Sequence, residues 1–133
     1  MVDTVLELSV PARFPQVSAL RHAADAFLSA TVPSGARHQM LLVISELCTN
    51  AVEALHNPGA ELVLRVRDLD DCTVIEVEDL GPGFAPATHP PGPDEDDERG
   101  RGLHVVRSLV DEMTVDRAYG KTVVRCMMRK RSR

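Results

Sequence analysis

Glu46-Leu47-Cys48-Thr49-Asn50 lies inside a helical pattern that runs from about Ala36 to His56. Met40, Ile44, Leu47, Ala51 and Leu55 recur at intervals of three and four, which draws one apolar face along a helix. Glu46 and Asn50 are four apart, so one stands a turn above the other. They fall at the edge of the apolar arc, and Glu53 and Asn57 continue the stripe. Residues at such an edge are half-buried. A carboxylate there can take a proton, and an amide oxygen can bind a hard cation. An isolated E-x-x-x-N is more often a solvated polar stripe, so its meaning depends on what the flanking chain supplies.

Upstream, Thr4 to Val10 alternates, with Leu6, Leu8 and Val10 on one face, and predicts a half-buried strand. Pro11 and Pro15 bracket a loop. Pro15 to Ala30 then reads as an amphipathic helix with Val17, Leu20, Ala24, Phe27 and Leu28 inward and His22 on its surface. Pro33-Ser34-Gly35 breaks it, and Asn57-Pro58-Gly59 stops the helix that carries Glu46. Downstream, Glu61 to Asp68 and Thr73 to Asp79 predict a hairpin turning at Asp70-Asp71. Asp79 shares parity with Ile75 and Val77, so its carboxylate points toward the core side where the strand ends. A buried carboxylate without a donor is costly. Either the chain pairs it or a ligand does.

Asp79-Leu80-Gly81-Pro82-Gly83-Phe84 follows, with two glycines placed for a sharp turn and close backbone approach. Five of the nine prolines fall between Pro82 and Pro93, and five consecutive acids, Asp94 to Glu98, come next. That segment buries little and is expected to be mobile. Arg99-Gly100-Arg101-Gly102-Leu103 then opens a helix marked by Leu103, Val106, Leu109 and Val110. Glycines at a helix start leave N–H groups aimed outward, an anion site with two arginines beside it. Met113 to Asp116 and Lys121 to Met128 predict a last strand pair turning near Tyr119-Gly120, with Thr122, Val124, Cys126 and Met128 on one face. Arg129 to Arg133 is a basic, solvated tail.

A chain of 133 residues, 44% hydrophobic and 26% charged, has material for one core. With no Trp, one Tyr and three Phe, the core is aliphatic and there is almost nothing on which bases could stack. The net charge of -5 is local: without Asp94 to Glu98 the acids and bases balance at 15 each. No basic face results, which argues against a nucleic-acid partner. Cys48, Cys72 and Cys126 form no C-x-x-C, so three buried thiols in a reducing cytoplasm are expected rather than a zinc site or disulfides. No leader-like N-terminus and no apolar run of membrane-spanning length occurs, and a soluble, cytoplasmic protein is expected.

The motifs stand in a fixed order that resembles the GHKL (Bergerat-fold) ATP-binding family of histidine kinases, gyrase and chaperone ATPases. Glu46 to Ala51 looks like its N box, Asp79 to Gly83 like its first glycine box, Gly100 to Leu103 like its second, and Thr122 like its last-box threonine. The resemblance implies an α/β sandwich: one mixed, mostly antiparallel sheet covered on one face by about three helices, with ATP under a mobile lid at about 84–98. It implies a single domain over 1–133. It also implies that Asp79 accepts the adenine amino group, that Asn50 binds Mg²⁺, and that Glu46 is the general base. Gly81, Gly83, Arg99, Gly100, Arg101, Gly102, Leu103 and Thr122 would complete the ATP site. Within the family, the chain length and Pro15-x-Val17-x-x-Leu20-Arg21 look most like the stand-alone bacterial anti-sigma factor serine/threonine kinases. These bind a sigma factor, phosphorylate a STAS-type anti-anti-sigma protein, and suggest a homodimer. Two departures stand out: Ala54 occupies a place where the family often has His, and the lid is unusually acidic. A regulatory binding module without kinase turnover, or a kinase domain working in trans with a sensor, would keep the same motifs.

Overall fold

The computed structural model describes residues 4–55, 59–80, 103–118 and 120–130. Among these the order is β1 (Thr4–Pro11), α1 (Phe14–Leu28), α2 (Ser34–Ala54), β2 (Glu61–Asp68), β3 (Cys72–Leu80), a helix α3 over 103–109, β4 (Glu112–Ala118) and β5 (Lys121–Arg129). The strands make one sheet in the order β1-β2-β3-β5-β4, and every neighbouring pair is antiparallel. The resemblance implied a mixed sheet; the described strands contain no parallel pair, and the layered α/β sandwich is otherwise as expected. Because β5 inserts between β3 and β4, the strand carrying Thr122 lies beside the strand carrying Asp79, and β4 forms the edge.

Strand alternation decides which face is covered. Leu62, Leu64 and Val66 of β2, Ile75 and Val77 of β3, and Cys126 and Met128 of β5 are buried on the helix side. Against them pack Leu20, Ala24 and Leu28 of α1 and Met40, Val43, Ile44, Leu47 and Cys48 of α2. Pro15 near the start of α1 fits a position where no helical N–H partner is lost. Beyond α1, Arg37 of α2 donates from Nε to Asp25 Oδ1 at 2.9 Å and from Nη1 to the Val32 carbonyl at 2.8 Å. Those bonds fix how α2 lies against α1, and hence where Glu46 and Asn50 sit.

The opposite sheet face satisfies its own charges. Glu7, Arg65, Glu76 and Arg125 stand in one cross-strand row of alternating sign. Arg65 pairs with Glu7 and, at 3.0 Å, with Glu78, while Arg125 reaches Glu76 at 2.8 Å. A second polar cluster clasps the far end of the sheet. The Asp68 side chain, 5% exposed, accepts from the Thr31 hydroxyl and lies 2.7 Å from Lys130 Nζ, an ionic contact off the hydrogen-bond axis. Gly120 turns β4 into β5 at φ 76°, a conformation that favours glycine. Cys48 and Cys126 are buried as expected; Cys72, the first residue of β3, is only half-buried because the sheet ends there. Burial pushes the Cys48 and Cys126 thiols up to about 12, which makes them poor nucleophiles.

Candidate functional site

On α2, Glu46 and Asn50 are both half-buried, flanking the buried Leu47 and Cys48. Their four-residue spacing puts them on one stripe at the margin of the core face, as the sequence pattern requires. On the sheet, Asp79 ends the buried row Thr73, Ile75, Val77 and is itself half-buried. Its register partner on β5 is Thr122, and the Thr122 N–H donates to Asp79 Oδ1 at 3.2 Å. Among the described residues no protein donor reaches Asp79 Oδ2. Burial raises the Asp79 carboxyl above its ordinary range; the Thr122 N–H and then the Arg117 guanidinium pull it back, and Glu78 adds to the rise.

Arg117 was not singled out by its local sequence. It is the register partner of Thr122 on β4, so Leu62, Asp79, Thr122 and Arg117 form one row across four strands. Residues in such a row share a face, here the helix-covered one. The next row on that face, Leu64, Val77, Val124 and Val115, is apolar. A hairpin turning at Tyr119-Gly120 would have been enough to pair Arg117 with Thr122 from sequence.

Leu103 begins α3, is half-buried and packs on the core. Gly81, Gly83, Arg99, Gly100, Arg101, Gly102 and the lid at about 84–98 lie outside the described residues, as do His56 and Asn57. An open groove is lined by Ala12, Arg13, Phe14, Pro15, Val52, Glu53 and Leu55; none of Glu46, Asn50, Asp79 or Thr122 contributes to it. Among the described residues no cluster of three or more His, Cys, Asp or Glu could hold a metal. Asn50, half-buried on α2, offers one amide oxygen of the kind that a hard cation such as Mg²⁺ accepts. Asp79 fits an amino-group donor, with one oxygen held by Thr122 and the other without a donor among the described residues.

The family model for the histidine kinase-like ATPase domain matches residues 10–128. The chain belongs to that family. Its fold is shared, at a TM-score of 0.69 and 18% identity, with the RsbU and RsbW domains of Rv1364c from Mycobacterium tuberculosis, covering 95% of this chain and 32% of that one. This chain therefore spans about a third of that structure's length. The catalytic domain of the histidine kinase ThkA, in a nucleotide-free form, is similar at a TM-score of 0.54 and 12% identity, covering 98% of both chains. No curated protein matches in sequence. Domains of this ATPase family bind ATP, usually with Mg²⁺. No described helix is long and apolar enough to cross a membrane.

Proposed function

We propose that this chain is an ATP-dependent protein serine/threonine kinase of anti-sigma factor type. It binds a sigma factor and phosphorylates a STAS-type anti-anti-sigma protein in the cytoplasm, working as a single domain over 1–133 and pairing as a homodimer. The observation that carries the nucleotide reading is the pair Asp79 and Thr122: a half-buried carboxylate fixed through one oxygen, with no donor to the other among the described residues. The likeness to a chain built of RsbU and RsbW domains supports a regulatory setting.

In this reading Asp79 Oδ2 would accept the adenine amino group, and the neighbouring apolar row of Val77 and Val124 would offer the base an apolar surface. Asn50 holds Mg²⁺ through its side-chain oxygen. ATP, when bound, supplies the transferable phosphoryl group. Glu46, one turn from Asn50, takes the proton from the attacking hydroxyl as it reacts. In the same reading the Gly100 to Leu103 stretch would take the phosphates and residues 84–98 would serve as the lid; of these only Leu103 is among the described residues. The five acids at Asp94 to Glu98 favour a second reading, since negative charge beside phosphates is repulsive: a nucleotide-binding regulatory module without turnover.

The test is transfer of label from ATP to a STAS-type partner by wild type and Glu46→Ala. Nucleotide binding is expected to persist in the variant while transfer falls by about 10²–10⁴-fold. Transfer undiminished in Glu46→Ala removes Glu46 as the base. Binding of ATP and of the sigma factor with no transfer by wild type leaves the module reading.

A further inference from the structure

Beside Asp79 and Thr122, the base-binding end contains a third polar residue, on the edge strand. Leu62, Asp79, Thr122 and Arg117 form one row, ordered from the buried centre of the sheet to its exposed margin. Leu62 is buried, Asp79 and Thr122 are half-buried, and Arg117 is exposed. Side chains opposite one another across neighbouring strands stand about 5 Å apart at Cβ, so a long guanidinium two strands away comes within electrostatic reach of the carboxylate. Among the described residues, the charges that act on Asp79 are Glu78, next along β3, and Arg117; Thr122 contributes a neutral N–H. Among the described residues Arg117 is thus the cation that opposes both the burial of Asp79 and the neighbouring Glu78. The apolar row below it, Val77, Val124 and the 38%-exposed Val115, continues the shelf toward the edge.

We propose that Arg117 is a specificity-determining residue of this site. From the edge strand its charge favours the ionised form of Asp79, which accepts from an exocyclic amino group and repels a ring carbonyl in the same place. The proposal rests on the reading of Asp79 as the adenine contact. The chemistry is simple. An ionised carboxyl only accepts hydrogen bonds, whereas a protonated one also donates. Ionised Asp79 favours the 6-amino group of adenine over the 6-oxo group of guanine; protonated Asp79 loses that preference. Without Arg117 the carboxyl takes up its proton more readily, because among the described residues burial and Glu78 are then opposed by the Thr122 N–H alone.

The experiment has two arms on the full chain, comparing wild type with Arg117→Gln and Arg117→Lys. The first follows the Asp79 carboxyl by NMR through a pH titration without nucleotide. In Arg117→Gln its midpoint is expected to move up; in Arg117→Lys, which keeps the charge, it is expected to stay near that of wild type. The second measures ATP and GTP affinity at about pH 5 and about pH 8. The preference for ATP is expected to fall in Arg117→Gln at the lower pH, by at most about tenfold for each unit the midpoint moves, and to change little at the higher pH. An unmoved midpoint in Arg117→Gln overturns the proposal. So does an Arg117→Lys variant as impaired as Arg117→Gln, since shape rather than charge would then be at work. A midpoint that moves while wild type binds ATP and GTP alike shows that the adenine reading of Asp79 has failed, and the specificity role falls with it.

Discussion

Asp79→Asn separates the cost of the site from its use. In wild type, Oδ1 accepts the Thr122 N–H at 3.2 Å, which fixes the carboxyl in its plane. An asparagine keeps that bond through its amide oxygen, and its NH₂ group then occupies the place of Oδ2. A donor would face the adenine amino group where an acceptor stood. Hydrogen bonds to charged groups are worth about 1.5–3 kcal/mol, so ATP affinity is expected to fall by roughly ten- to a hundredfold or somewhat more. Stability is expected to move the other way. Burial holds the Asp79 carboxyl above its ordinary range, so the folded chain binds that proton more tightly than the unfolded chain does. Stability therefore falls as pH rises through the folded value, and at neutral pH the ionised side chain destabilises the nucleotide-free protein. Removing the charge while keeping the bond to Thr122 should raise the Tm at neutral pH, and the gain should vanish in acid. Calorimetric ATP titration and thermal melts without nucleotide test both halves. Unchanged ATP affinity in Asp79→Asn would refute the adenine contact. A lower Tm at neutral pH would refute the argument that the site is held under electrostatic strain.

Asn50→Ala should lower ATP affinity by about ten- to a hundredfold with Mg²⁺ present and leave it unchanged in a chelator, read by titration under both conditions. Asp68 should account for part of the acid sensitivity. Burial raises its carboxyl, but Lys130 and Thr31 outweigh this and hold it below the usual range. Its contribution is therefore complete above the unfolded value and lost as pH falls through the folded one. Asp68→Asn should cost about 1–3 kcal/mol at neutral pH, with the gap to wild type closing below about pH 4 in urea melts.

The elements were legible wherever one periodicity dominated. β2 and β3 alternate cleanly, and the expected spans differ from the observed ones by a residue or less at each end. The helix start was harder: Pro33-Ser34-Gly35 reads as a break, yet α2 begins at Ser34, because a proline can precede the first turn without losing a helical bond. For the site, the four-residue spacing of Glu46 and Asn50 and the parity of Asp79 are local and could be read directly. The partner of Asp79 could not. Its donor is the N–H of Thr122, 43 residues away, and register between strands that are not consecutive is set by the whole sheet. Arg117 was hidden for the same reason, since its nearness to Asp79 passes through Thr122.

Strand β3 itself supplies the strongest internal comparison. It carries three carboxylates within four residues: Glu76, Glu78 and Asp79. Glu76 and Glu78 point away from the helices, yet both are well covered, and each has cationic partners: Arg125 at 2.8 Å for Glu76, and Arg65 at 3.0 Å with Lys121 at 3.8 Å for Glu78. Asp79 points toward the helices, where pairing matters more because the dielectric is lower. Among the described residues it has one peptide N–H and a more distant arginine. A sequence selected only for stability would place the better-paired acids on the covered face and the poorly paired one outside. β3 does the reverse. The strand can form close ion pairs, yet among the described residues one oxygen of Asp79 has no donor, at the end of an apolar shelf. A ligand that brings its own donor to that point accounts for the arrangement, and the adenine amino group is such a donor.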